Sequence, residues 1–191
     1  MLVKNWKKEL WSIPNLLSLF RILLIPVYMC IYLNAEGAED YTTAGVILAV
    51  GCLTDFADGK IARRFNMITN LGKVLDPMAD KLTQLSLLIC LSARRNALKY
   101  LLMMFLIKEF WQFFAMLSAL SRGKALNGAL MSGKISTTVL FTSLGVMFVL
   151  PGLSDRFTNI LTLVCFVFLL YAFADYVWAY CGKIKKIYDL E

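Results

Sequence analysis

The sequence predicts an all-α integral membrane protein, with six transmembrane helices behind an N-terminal interfacial amphipathic segment. Three observations predict it. Hydrophobic residues make up 59% of the 191-residue chain and charged ones only 17%, far more apolar than a soluble domain. The basic residues sit at the ends of apolar runs instead of along one soluble face, where they anchor helices at headgroups. No Pro/Gly/Ser-rich linker, internal repeat or low-complexity tract divides the chain, so residues 1–191 are expected to form a single membrane domain.

The elements follow in order. Met1 to Trp11 carries Lys4, Lys7 and Lys8 with Trp6 and Trp11, a basic aromatic segment suited to lie along a membrane surface. Ile13 to Leu33 is the first span, interrupted by Arg21 and Pro26. Asn15, Ser18 and Arg21 recur every three residues and make a polar stripe on one face of its first half. A charge inside a span is costly, so its default reading is a function or a bundle partner, against simple snorkelling to the interface. Asn34 to Tyr41 is a short acidic loop. The second helix starts at Thr42 and runs past Phe56 to about Phe65. The third begins between Leu71 and Asp76 and continues through Leu91. Ser92 to Lys99, with Arg94, Arg95 and Lys99, reads as a loop. Tyr100 to Leu120 is the fourth span. Its adjacent Lys108 and Glu109 point about 100° apart on a helix and are expected to find different partners. Ser121 to Lys134 connects to a fifth span, Ile135 to Leu150, closed by Pro151 and Gly152; Asn159 to Cys181 is the sixth, before a basic tail with Lys183, Lys185 and Lys186.

Six spans place both termini on one side. That side also holds the Lys60–Lys73 and Arg122–Lys134 connections, so the positive-inside bias puts the termini in the cytoplasm, although Arg94, Arg95 and Lys99 run against it locally. The scattered charge does not suit nucleic acid despite a net +7. The five cysteines lie in or beside apolar segments without CxxC spacing and read as hydrophobes. The absence of histidine excludes zinc–histidine sites and Ser-His-Asp triads.

One stretch is chemical in character, Thr54 to Leu82. Asp55 and Asp58 are three residues apart and Asp76 and Asp80 four apart, which puts each pair on one helix face. Asn66, Asn70 and Gly72 allow a turn that brings the pairs together. Four carboxylates that close repel or protonate unless a cation neutralises them. A hard ion such as Mg²⁺ or Mn²⁺ prefers such oxygens, and four aspartates suit two ions. Gly59 and Gly72 permit close approach of a ligand, and Arg63 offers a planar donor fork to phosphate oxygens. The combination reads as a diphosphate site at the cytoplasmic membrane surface. Salt bridging to Lys60, Arg63, Arg64, Lys73 and Lys81 explains any single pair, but not four carboxylates flanked by two glycines at a lipid boundary.

The pattern Asp55-x2-Asp58-Gly59-x2-Ala62-Arg63-x8-Gly72-x3-Asp76-x3-Asp80 resembles, at every position, the signature of the CDP-alcohol phosphatidyltransferase family. Pro14-Asn15, Ser18 through Arg21, and Gly72 through Lys81 are similar to its bacterial glycerol-3-phosphate branch, as is Gly133-Lys134 with Ser136 and Thr137. The resemblance implies a six-helix enzyme of the cell membrane, usually a homodimer, holding two divalent ions. It would transfer the phosphatidyl group of CDP-diacylglycerol to an alcohol, glycerol 3-phosphate first, and release CMP. It further implies Asp55, Asp58, Asp76 and Asp80 as metal ligands, with Asp80 also the general base. Gly59, Ala62, Arg63 and Gly72 would bind CDP-diacylglycerol, while Lys134, Arg21 and Arg122 would receive the acceptor's phosphate. The stretch AMLSALSRGKALNGALMSGK departs from that branch, so phosphatidylglycerol, serine and an inositol phosphate stand as alternative acceptors. A cation transporter, the alternative of another class, predicts acids spread through the depth of the bundle.

Overall fold

The computed structural model describes residues 12–64, 72–121 and 131–188. These residues form six helices: α1 Ile13–Leu33, α2 Ala38–Arg64, α3 Gly72–Arg94, α4 Ala97–Ser121, α5 Met131–Val149 and α6 Asp155–Tyr188. The proposed surface segment Met1 to Trp11 lies outside the described residues. Four helices contain stretches long and apolar enough to cross a bilayer: Asn15–Leu33, Ala97–Ser118, Met131–Val149 and Asp155–Tyr180. Among the described residues the fold is all-helical, and its long apolar helices mark an integral membrane protein.

Several helices start earlier or run longer than hydropathy alone predicts, and at two of the starts polar side chains complete the end. α2 begins at Ala38, inside the expected acidic loop, since the Asp40 carboxylate accepts the backbone N–H groups of Glu36 (3.0 Å) and Gly37 (3.2 Å). The Gly37 N–H is one of the donors that a helix start leaves without an intrahelical partner. α6 starts at Asp155, four residues ahead of Asn159, where the Ser154 hydroxyl accepts from the Phe157 N–H. It also passes Cys181 and takes in the basic tail. Of the expected Ser92–Lys99 loop, only Arg95 and Asn96 stay out of helix. Arg95 pairs there with Asp155 and donates to the Leu153 carbonyl, so one of the loop's three cations is neutralised locally.

The chain divides into two compact units, one reaching as far as Ala93 and including Phe148–Pro151, the other holding the remainder. In the first unit α1 packs along α2. The buried residues Ala44, Leu48 and Gly51 lie on one stripe of α2, with Asp55 as its next member at helical spacing. At the other end Phe148 is fully buried, stacked on Tyr32 at 4.3 Å and edge-on to Tyr28. In the second unit α4 packs on α6, with Trp111 edge-on to Phe173 and Tyr180. For Lys108 and Glu109, expected to find different partners, the structure shows a mutual pair. Their side chains pair with one another at 2.6 Å, both largely buried. The lysine stem is long enough to swing across the angle between neighbouring positions, and two charges in an apolar helix are less costly together than apart. Hydroxyls in these helices, such as Thr142 and Thr162, donate to carbonyls one turn back and so need no partner from lipid.

Two predictions follow from this packing. Replacing Phe148 by Ala is expected to cost about 3–5 kcal/mol through the cavity left beside Tyr28 and Tyr32. That corresponds to roughly 6–20 °C in melting temperature in detergent, with Phe148→Leu losing less. Asp40 sits ahead of the apolar part of α2, and its two N–H donors hold the carboxyl below the usual carboxylate range. A depressed folded-state pKa adds stability above the unfolded value and loses it as pH falls through the folded one. Asp40→Ala should therefore lower the melting temperature at neutral pH, with the difference from wild type vanishing in an acid series.

Candidate active site

α1 and α3 run parallel in a constant register. Ser18 donates to Asp76 Oδ1 at 2.6 Å, Arg21 Nη1 reaches Asp80 Oδ1 at 2.6 Å, and the Tyr28 and Ser86 hydroxyls share a hydrogen bond. Because Ser86 gives its own proton to the Thr83 carbonyl, the Tyr28 phenol is the donor. These contacts are 58 or 59 residues apart in sequence, as two parallel helices in fixed register require. α2 comes to the same place from the opposite direction, and Asp55 Oδ1 lies 2.6 Å from Arg21 Nη2. One guanidinium therefore joins a carboxylate from each of two helices. Gly51, buried one turn before Asp55, lets α2 lie against the Arg21 stem.

The burial is asymmetric. Ser18 and Arg21 are 0% and 5% exposed, whereas the side chains of Asp55 and Asp80 are 45% and 55% exposed. The helix-borne cation is sealed and the carboxylates face outward. Among the described residues, no three of His, Cys, Asp and Glu converge as a ready metal cage. The donor chemistry nonetheless suits a hard divalent ion: oxygen-only groups, partly open, each held through a single oxygen.

The other expected site residues divide by position. Asp58, Gly59, Ala62 and Arg63 lie on the last turns of α2, with side chains outside the described ones. Gly72 is buried at the first position of α3. Lys134 is exposed in the first turn of α5, in the second unit, and Arg122 lies outside the described residues. Arg21, expected to receive an acceptor's phosphate, meets Asp55 and Asp80 in the structure. Sequence reasoning did not foresee the bond from Ser132 to Asp175. Nor did it foresee the contact of Gly133, where a Cβ would come within 2.7 Å of Tyr176 Oη. Neither has a local sequence signal, since both join α5 to α6.

Residues 11–171 match the family model for CDP-alcohol phosphatidyltransferase, and the chain belongs to that family. Among curated relatives, it is 38% identical over 100 residues to a cardiolipin synthase (CMP-forming) of Streptomyces coelicolor, over 51% of this chain and 46% of that protein. It is 36% identical over 112 residues to the CDP-diacylglycerol–glycerol-3-phosphate 3-phosphatidyltransferase of Bacillus subtilis, over 53% and 58% of the two chains. It is 32% identical over 142 residues to a probable phosphatidylglycerophosphate synthase of Mycobacterium tuberculosis, over 73% and 66%. The chain spans about half to two thirds of the length of these relatives.

Gly133→Ala is expected to lower the melting temperature by forcing the Tyr176 ring aside. The loss should be smaller when the same change is made in a Tyr176→Ala background, a non-additivity that a double-mutant cycle measures.

Proposed function

We propose that this protein transfers the phosphatidyl group of CDP-diacylglycerol to glycerol 3-phosphate, forming phosphatidylglycerophosphate and CMP. The observation that carries the reading is the meeting of Asp55, Asp76 and Asp80, drawn from both halves of the family signature, on the polar stripe of α1. Asp55, Asp58, Asp76 and Asp80 would hold two divalent ions, Mg²⁺ or Mn²⁺, whose charge when bound neutralises the diphosphate. Asp80 takes the proton of the incoming hydroxyl. That oxygen bonds to the phosphorus carrying diacylglycerol, the bond from this phosphorus to the CMP oxygen breaks, and CMP leaves with the electron pair. Gly59, Ala62, Arg63 and Gly72 line the cytidine diphosphate pocket, with Arg63 donating to phosphate oxygens. Lys134 and Arg122 receive the phosphate of the acceptor. Positioning and charge neutralisation are most of what such a transfer demands.

In this reading α2 and α3 also cross the bilayer, giving six spans. The carboxylates and both termini face the cytoplasm, and the protein works as a homodimer. Phosphatidylglycerol as acceptor is the second reading, favoured by the 38% identity to a cardiolipin synthase. Serine and an inositol phosphate belong to the same reaction type. A cation transporter fits less well, because Asp55 and Asp80 of the signature gather around one arginine, with Asp76 one turn from Asp80 on the same helix.

The test is CMP release from CDP-diacylglycerol by purified protein with Mg²⁺ or Mn²⁺, screened over the four acceptors. Glycerol 3-phosphate is expected to support release, and Asp80→Asn to slow it about 10²–10⁴-fold. Equal release by wild type and Asp80→Asn with every acceptor would overturn the assignment.

A further inference from the structure

We propose that Ser18 and Arg21 of α1 are positioning residues for the metal-holding carboxylates: they clasp one oxygen of each of Asp76, Asp80 and Asp55 and leave the second oxygen of each to face a divalent ion. The inference rests on the functional reading above and concerns residues that reading leaves without a catalytic task.

Three observations support it. All three contacts are 2.6 Å long, and each engages a single carboxylate oxygen. A carboxylate has about four lone-pair sites over its two oxygens, so holding one oxygen does not close the group to a metal. The clasping atoms are buried while the carboxylates are half open. A metal-holding group tied on its closed side has one orientation toward its open side, which is the usual arrangement around metal-holding carboxylates. The parallel register of α1 and α3 places Ser18 and Arg21 one turn apart, opposite Asp76 and Asp80 one turn apart. One helix face thus supplies a partner for each acid of the pair.

A rival account makes Arg21 a stand-in cation that an arriving metal expels. The geometry disfavours it. Arg21 is 5% exposed, and releasing it would leave a charge buried in an apolar helix without its carboxylates, a costly state. Arg21 is better placed to stay and orient than to leave. The two accounts predict opposite signs: loss of an orienting residue weakens metal binding, whereas loss of a competitor tightens it.

Mn²⁺ binding to the purified full-length protein in detergent, followed by electron paramagnetic resonance, distinguishes them, with melting temperature recorded in parallel. Ser18→Ala is expected to weaken Mn²⁺ binding about tenfold and Arg21→Gln up to about 100-fold. Arg21→Lys should fall between, since it keeps the charge but not the fork that spans two helices. Unchanged or tighter binding in Ser18→Ala overturns the inference, as does a lower melting temperature with unaltered affinity. If Arg21→Gln does not fold, Ser18→Ala, which removes a single hydroxyl, decides the matter alone. Failure of wild type to bind Mn²⁺ would overturn the metal reading itself. Normal binding by wild type and both variants would overturn only the role given to α1.

Discussion

A guanidinium sealed inside an apolar helix is the constraint on which the first unit depends. Arg21 cannot reach water, and an isolated charge in such a place is prohibitive. It is tolerable because Asp55 and Asp80 each put an oxygen 2.6 Å away. That requirement ties α2 and α3 to α1 at one level and sets their register. Ser18 and Tyr28 repeat the tie to α3 on either side of it. The aromatic cluster of Tyr28, Tyr32 and Phe148 packs the end of the unit away from the charges.

The second unit meets the same solvent in another way. Its outward side chains are large and apolar, among them Phe110, Phe113 and Phe114 on α4 and Val167 and Trp178 on α6. Several of its polar groups find partners on their own helix or on the helix packed against it. Lys108 takes Glu109, Ser132 takes Asp175, and threonine hydroxyls bond to carbonyls one turn back. In a medium with few hydrogen-bond partners, polar groups satisfied close to home leave packing between helices to small residues and shape. Gly133 against Tyr176 is an instance.

The chemistry grows out of the first unit's constraint. The acids that neutralise Arg21 have more bonding capacity than one guanidinium uses, and their side chains are half open. An arrangement needed to bury a cation thereby becomes a set of oriented oxygens. Such oxygens suit a hard ion and, through it, a diphosphate. The family match over residues 11–171 and the relatives that use CDP-diacylglycerol by name agree with that chemistry.

Much of this was legible in one dimension. Apolar length marked the helices, because the bilayer rewards about twenty such residues whatever their neighbours are. The spacing of Asp55, Asp58, Asp76 and Asp80 marked a candidate site, because helical periodicity puts such pairs on one face. The three-residue recurrence of Asn15, Ser18 and Arg21 showed that α1 carried a polar stripe. It did not say what the stripe touched. Helix ends moved by several residues, since Asp40 and Ser154 complete backbone bonds that hydropathy does not register. The pairing of Lys108 with Glu109 depended on side-chain reach. The sequence by itself determined which residues are polar, where they recur and how long each helix can run, since these are properties of the chain. Only the tertiary structure decided that Arg21 belongs to the carboxylates, because a partner 34 or 59 residues away is chosen by how helices pack.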